Sequence, residues 1–207
     1  KMALQRLLSQ LRDGPGGNDA MVDQLKHHVR LSEKARNSPA KRVHPPSHHS
    51  FRAQVVAAFR AVDRGQFVDD EESKEAIYMD MPFRHGRLHL SAPSIYAAAL
   101  EALGLDEVSR WRRQLSFLRL GSGSGYLSAL AAALLGEGCV HFCVELEAAL
   151  AARSRATLAA LGRGPVPALR DVQVVCASAF DVDLDLSMKF DRIYVGAGAR
   201  HGDARRF

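Results

Sequence analysis

Cysteine is scarce in this sequence. The three present, Cys139, Cys143 and Cys176, are an odd number and lie in apolar stretches. That suits a reducing compartment better than a disulfide framework, so the expected location is cytoplasmic by default. No apolar run approaches the roughly 20 residues that cross a bilayer, which argues against a transmembrane helix. The succession of charged, apolar and small residues that marks a signal peptide is also missing. At 207 residues there is no room for two large domains, yet enough chain for a real core.

An excess of positive charge is missing from most of the chain, although the net charge is +5. Residues 1–50 hold nine Lys/Arg and four Asp/Glu, whereas residues 51–207 hold nineteen of each. The N-terminal quarter also carries five of the nine histidines, with Gly14-Pro15-Gly16-Gly17 and Pro45-Pro46 as linker chemistry. We expect a basic arm over 1–50, containing one short helix, and a folded body over 51–207. Such an arm is either a solvated tail or an anion-touching segment; no nucleic-acid or membrane partner is expected. His44, His48 and His49 have no Cys or acid at ligand spacing, so they read as linker and no metal is expected.

Val22, Leu25 and Val29 share a helical stripe, with Asn18 or Asp19 as N-cap. Phe51, Val55, Val56, Phe59 and Val62 recur at helical spacing, and Asp63-Arg64-Gly65 reads as a glycine stop. Residues 69–75 read as an acidic loop. A helix over Ile95–Leu105 has Pro93 before it and Gly104 near its end. From Ser116 the pattern alternates: strand (Ser116–Leu120), helix (Tyr126–Leu135), strand (Val140–Val144), helix (Glu147–Leu161), then strands at Val172–Cys176 and Phe190–Val195. Strands alternating with helices predict a doubly wound α/β domain with a parallel sheet, Rossmann-like in layout.

In such a sheet, ligands lie beyond the carboxyl ends of the strands beside the first of them. The run Gly121-Ser122-Gly123-Ser124-Gly125, followed by Tyr126, falls there. It reads as a tight turn or as a loop whose bare backbone approaches a ligand at a helix N-terminus. Glu145, ending the next strand, is a helix N-cap or first-turn acid, or the acceptor of two ribose hydroxyls. Together they favour a nucleoside. The run lacks both the dinucleotide spacing and the Lys-Ser/Thr of a phosphate loop, which leaves S-adenosylmethionine as the candidate.

The segment Leu88-His89-Leu90-Ser91-Ala92-Pro93 and the stretch from Phe117 through Gly121-Ser122-Gly123-Ser124-Gly125 to Leu127 resemble protein-L-isoaspartate O-methyltransferases. So do Ala57–Phe67 and the closing Phe190–Gly198. His89–Tyr96 and Asp191–Tyr194 are nearer still to the isoaspartate O-methyltransferase domain-containing branch. The resemblance spans about residues 18 to 200, broken by the Pro/His stretch near 37–50.

It implies an S-adenosyl-L-methionine-dependent carboxyl methyltransferase acting on isoaspartyl residues of damaged proteins, in protein repair. The cofactor would be held by Gly121, Ser122, Gly123, Ser124, Gly125, Tyr126, Glu145, Leu146 and Ala177. Ser91 would be the active-site serine orienting the substrate carboxylate, beside the backbone of His89 and Leu90; read from the residues alone, Ser91 starts a helix.

Three positions depart from the family pattern. Arg119 replaces an acid that supports the methionine ammonium, and a cation there is expected to weaken cofactor binding unless it points away. Ser94 replaces a His, and Ala177 replaces the acid that contacts adenine. Family members continue with three more strands, so we expect a fold truncated after the fourth strand, which would then be a bare apolar edge. The alternatives to an enzyme are a cofactor-binding scaffold or ubiquitin-ligase substrate adaptor, as in the domain-containing branch, and an inert fragment. The adaptor role is expected to need a C-terminal ligase-binding extension, for which these residues show no candidate.

Overall fold

The computed structural model describes residues 17–25, 48–68, 74–105, 115–181 and 189–197. Most of the basic arm with His44, the acidic residues 69–73 and Gly198 lie outside them.

Six helices and six strands are described. Helix α1 covers 18–25, α2 His48–Ala61, α3 a single turn at Lys74–Ile77, α4 Pro93–Leu103, α5 Tyr126–Leu135 and α6 Ala148–Gly162. The strands are β1 Phe83–His85, β2 Leu88–Leu90, β3 Phe117–Leu120, β4 His141–Glu145, β5 Val172–Cys176 and β6 Arg192–Val195. Strands β1 and β2 form an antiparallel hairpin, which the alternation of the sequence is too short to announce. The other four form a parallel sheet in the order β5-β4-β3-β6.

This order follows from connection rules. Two successive right-handed crossovers carry the chain from β3 to β4 to β5 and leave α5 and α6 on one face; the chain then returns past β3 to β6. The direction therefore reverses between β3 and β6, and a crevice opens at their carboxyl ends. Ser116 and Asp191 fix the entry to this pair: the Ser116 amide and hydroxyl both donate to Asp191 Oδ2, at 2.9 and 3.1 Å.

Side chains on β3 and β4 alternate between two cores. Leu118, Leu120 and Val144 face away from the helices, packed by Phe142, Ala177, Ala179 and Phe190. Phe117 and Cys143 face the helical layer. There α5 is buried along nearly its whole circumference, because it lies between the sheet and α2, and its Ala/Leu composition suits that place. Val55, Ala58 and Phe59 supply the buried stripe of α2, and Val62, just past its end, continues it. Helix α1 joins the same core through Met21, Val22 and Leu25, and Asn18 Nδ2 donates to the Phe59 carbonyl at 2.7 Å. This part of the segment read as an arm is therefore docked on the body.

The stop after α2 is made differently from the sequence expectation. Gly65 does not end the helix in a left-handed conformation; Asp63 accepts from the Gly65 amide at 2.9 Å and caps a 3-10 turn over Arg64–Phe67. Gly104, by contrast, does end α4 in the left-handed conformation, at φ 58°.

Among the described residues β6 pairs only with β3, and its Ile193 and Val195 are 41% and 38% exposed. All three cysteines are free, and Cys176, unlike the other two, is exposed. No described helix is long and apolar enough to cross a membrane.

One buried group makes the fold sensitive to acid. His141, on the helical side of β4, packs edge-to-face on Phe117 at 4.8 Å, and neither ring nitrogen has a hydrogen-bond partner among the described residues. Burial, then the nearby Arg119 charge, pushes its pKa from 6.5 down to about 3. The folded value lies below the unfolded one, so the unfolded chain binds the proton. The stability is complete above about pH 6.5 and is lost as pH falls toward 3. Between pH 7.5 and 5 the loss should be about 2 kcal/mol. In urea unfolding at the two pH values, His141→Phe should remove most of that difference; an undiminished difference would assign the acid sensitivity elsewhere.

Candidate functional site

The crevice beyond β3 is built by a loop of only five residues between Leu120 and Tyr126. To turn so sharply, Gly121, Gly123 and Gly125 take φ of 74°, 55° and 87°, a region that penalises a Cβ. The loop is tied to the next strand: the Gly121 and Ser122 amides both donate to the Val144 carbonyl, at 2.8 and 3.0 Å. Ser124 Oγ accepts from the Tyr126 amide at 3.2 Å. Ser122 is fully buried, with its hydroxyl unpartnered among the described residues. The side chains of both serines thus face inward, and the loop presents backbone to the crevice.

Glu145 closes the other wall. Its Oε2 accepts from the Gly123 amide at 2.6 Å and its Oε1 from the Glu147 amide at 3.0 Å. Glu145 is 8% exposed and its carboxylate sits between the glycine loop and the start of α6. It is not the N-cap of α6, which is Glu147. Each oxygen retains a further lone pair, so the group can still accept from hydroxyl donors. Leu146, the next residue, is 74% exposed, an apolar surface at the strand end. The Ala177 amide donates to the Glu145 carbonyl at 3.0 Å, which brings the end of β5 to the same rim.

The hairpin supplies the wall opposite the loop. A Cβ added to Gly123 would find only the His89 carbonyl within 4 Å, at 3.8 Å. His89 is exposed, Leu90 is fully buried, and Ser91 is half-buried, so Leu90 can offer the crevice only its backbone. Ser91 is not the helix cap: Ala92 occupies the N-cap of α4 and makes no side-chain cap bond. The cap comes instead from Asp80, whose Oδ1 accepts from the Ser94 amide at 2.8 Å. The Ser91 amide donates to the Tyr96 hydroxyl at 2.9 Å, which holds the turn.

Sequence reasoning missed the groups beneath this wall. Arg64, read as part of a helix stop, is fully buried. Its Nε donates to the Ile77 carbonyl at 2.8 Å and its Nη2 to that of Met81 at 3.4 Å. The guanidinium lies 5.4 Å from the centre of the Tyr126 ring, in reach of a cation–π attraction. Burial is the main cause that lowers its pKa. Tyr126 itself is fully buried and its ring packs against Phe59, Phe67 and Tyr96. Its ring therefore links the base of the glycine loop to the hairpin side and does not line the crevice. Asp80, between two methionines, and Tyr96 gave no signal in the sequence, because their roles depend on which amides the fold brings beside them.

Arg119 is buried on the helical side of β3, where its Nη1 donates to Ser128 Oγ on α5 at 3.4 Å. Its charge is turned toward the helix under the loop, away from the strand ends.

Among the described residues no cluster of His, Cys, Asp and Glu could hold a metal ion. Glycine-loop amides, a strand-end carboxylate and a serine-bearing turn lie beside one another at the carboxyl ends of the strands, and comparison with known proteins finds similar chains. The family profile of protein-L-isoaspartate(D-aspartate) O-methyltransferase matches residues 47–202. Protein-L-isoaspartate O-methyltransferase 1 of Rhodopseudomonas palustris is 40% identical over 114 residues, covering 54% of this chain and 42% of the relative. A protein-L-isoaspartate O-methyltransferase of Anaeromyxobacter dehalogenans is 41% identical over 106 residues, covering 51% and 46%. The matched region thus spans less than half the length of these relatives.

Two solved structures share the fold. A protein-L-isoaspartate O-methyltransferase superposes with a TM-score of 0.62 at 20% identity, over 87% of this chain and 48% of that one. A Plasmodium falciparum structure assigned to the same enzyme, in complex with S-adenosyl-L-homocysteine, gives 0.60 at 20% identity, over 88% and 74%. With a profile match that runs from α2 past β6, this chain belongs to the protein-L-isoaspartate(D-aspartate) O-methyltransferase family.

Proposed function

We propose that this chain is a carboxyl methyltransferase that uses S-adenosyl-L-methionine to methylate isoaspartyl residues of damaged proteins, in a reducing cytoplasm. The observation that carries the reading is the meeting of the Gly123 amide, the Glu145 carboxylate and the His89–Ser91 turn around one crevice. The donor set fits such a cofactor. Glu145 has lone pairs left for a ribose diol, the loop is bare backbone, and exposed Leu146 offers an apolar surface to adenine. When bound, the cofactor supplies a methyl group on a positively charged sulfur.

A carboxylate is already a nucleophile at neutral pH, so this chain needs no general base. Its work is to position. The Ser91 hydroxyl would donate to the substrate carboxylate and orient one oxygen toward the crevice. The Ser91 amide bond to Tyr96 and the Asp80 bond to the start of α4 hold that turn in place. The glycine loop and Glu145 would hold the nucleoside in register with it. Of the three departures that favour a scaffold reading, Arg119, Ser94 and Ala177, the first is turned from the crevice by its contact with Ser128, while the other two stand as the sequence has them.

The test is transfer of labelled methyl groups to an isoaspartyl peptide and to its aspartyl twin. Labelling of the first alone supports the reading. Equal or absent labelling by protein that binds S-adenosylhomocysteine would overturn it. Ser91→Ala should lower kcat/KM at least tenfold, as loss of a hydrogen bond to a charged group does, with S-adenosylhomocysteine affinity within about twofold. A collapse of affinity would assign Ser91 to the cofactor instead.

A further inference from the structure

The β1–β2 hairpin carries a charge pattern that the proposed reaction does not use. Residues 83–89 read Phe-Arg-His-Gly-Arg-Leu-His, without an acid, although residues 51–207 balance nineteen bases against nineteen acids. Strand alternation sorts these side chains. Phe83, Leu88 and Leu90 are buried in the core, while Arg84 and His89, directly opposite one another in the ladder, are exposed on the other face. Arg87, at the turn, is ion-paired with Glu147 at 2.6 Å. Among the described residues no carboxylate is paired with Arg84 or with His89.

Desolvation, then the Arg84 charge, lowers the His89 pKa, so at neutral pH Arg84 carries the charge of the pair and the imidazole is a neutral donor. An anion placed between them pairs with the guanidinium and takes a hydrogen bond from each. The position of the pair gives such an anion a purpose. The His89 backbone borders Gly123, and Ser91 follows two residues on, about 7 Å along an extended chain. The Arg87–Glu147 pair joins the hairpin to the segment that follows Glu145.

We propose that Arg84 and His89 form a carboxylate subsite that takes an acidic residue flanking the one presented at Ser91, so that isoaspartyl peptides with acidic flanks are the preferred substrates. This inference rests on the methyltransferase reading and adds a substrate class to it. Both groups are exposed, so the expected preference is modest, about fivefold. It should shrink as salt rises from about 0.05 to 0.5 M, as the screening length falls.

The experiment compares isoaspartyl peptides that are identical except for Glu or Gln at the flanking positions, with the full chain saturated in labelled cofactor. The ratio of the two kcat/KM values should be about five and should fall to one or below in Arg84→Glu. Arg84→Lys should retain most of it. Binding of the same peptides, fluorescently labelled, to the protein loaded with S-adenosylhomocysteine is measured alongside by anisotropy. Affinity for S-adenosylhomocysteine certifies that each variant is folded. A wild-type ratio near one in both assays, no binding of either peptide, or a preference that survives Arg84→Glu would overturn the subsite. If wild type binds the Glu-flanked peptide through Arg84 yet methylates neither, the subsite stands and the methyltransferase reading falls.

Discussion

Glu145→Ala should weaken binding of S-adenosylhomocysteine about 100-fold, and Glu145→Gln about tenfold, in calorimetric titration. The carboxylate is placed to make charge-assisted hydrogen bonds to a ribose diol, each worth about 1.5–3 kcal/mol when one partner is charged. A net loss near 2.7 kcal/mol corresponds to the 100-fold change. The same substitution frees the Gly123 and Glu147 amides, which Glu145 accepts from at 2.6 and 3.0 Å. A modest loss of thermal stability should therefore accompany the loss of affinity. Gln separates the two effects: its Oε1 still accepts one amide, whereas its NH2 cannot replace the other acceptor. Folded Glu145→Ala protein that binds as tightly as wild type would remove Glu145 from the nucleoside site, and with it the reason to read the glycine run as more than a turn.

Gly121→Ala should destabilise the chain by about 2–5 kcal/mol, from two sources that add. At φ 74° a non-glycine residue costs about 1–2 kcal/mol. Its Cβ would also stand 2.7 Å from the Ala197 amide nitrogen and 2.8 Å from the Ala197 Cβ, and crowding of this kind costs about 1–3 kcal/mol. Neither obstacle is the end of a flexible side chain, so relief requires the backbone after β6 to move away from the loop. The thermal midpoint should fall on the order of 10 °C for a chain of this size. Gly86→Ala is the control, with φ 56° but nothing within 4 Å of the added Cβ; it should cost about 1–2 kcal/mol. Equal losses for the two would show that backbone conformation alone accounts for Gly121, and that the close approach of Ala197 to the loop is not tight.

The repeating part of the fold was legible in the residues. Val172–Cys176 is the strand that its β-branched run implies, and the strands at Phe117 and His141 and the helices at Tyr126 and Ala148 begin within a residue or two of their expected ends. Local periodicity and glycine punctuation carry that information, because they reflect what each segment must bury. The hairpin was not legible. Its strands have three residues each, too few to show alternation, and its exposed Arg84, His85, Arg87 and His89 look like a loop. Gly65 was misread for a related reason: a glycine after a helix signals a left-handed cap only if no nearby side chain makes the turn, and Asp63 does so here.

The site divides in the same way. Glycine at 121, 123 and 125 and an acid at 145 are choices the sequence makes by itself, since glycine takes those backbone angles without the cost of a Cβ and the next strand must end beside the loop. Likewise the sequence alone, by alternating strands with helices, determined a parallel sheet with a crevice beside its first strand. Only tertiary structure decided what faces that crevice. The burial of Arg64 under Tyr126, the capping of α4 by Asp80, the turning of Arg119 onto Ser128 and the opposition of Arg84 to His89 are contacts between residues 5 to 62 positions apart or on separate strands. A side chain's direction is set by the neighbours that folding brings to it, and one chain read in order does not contain them.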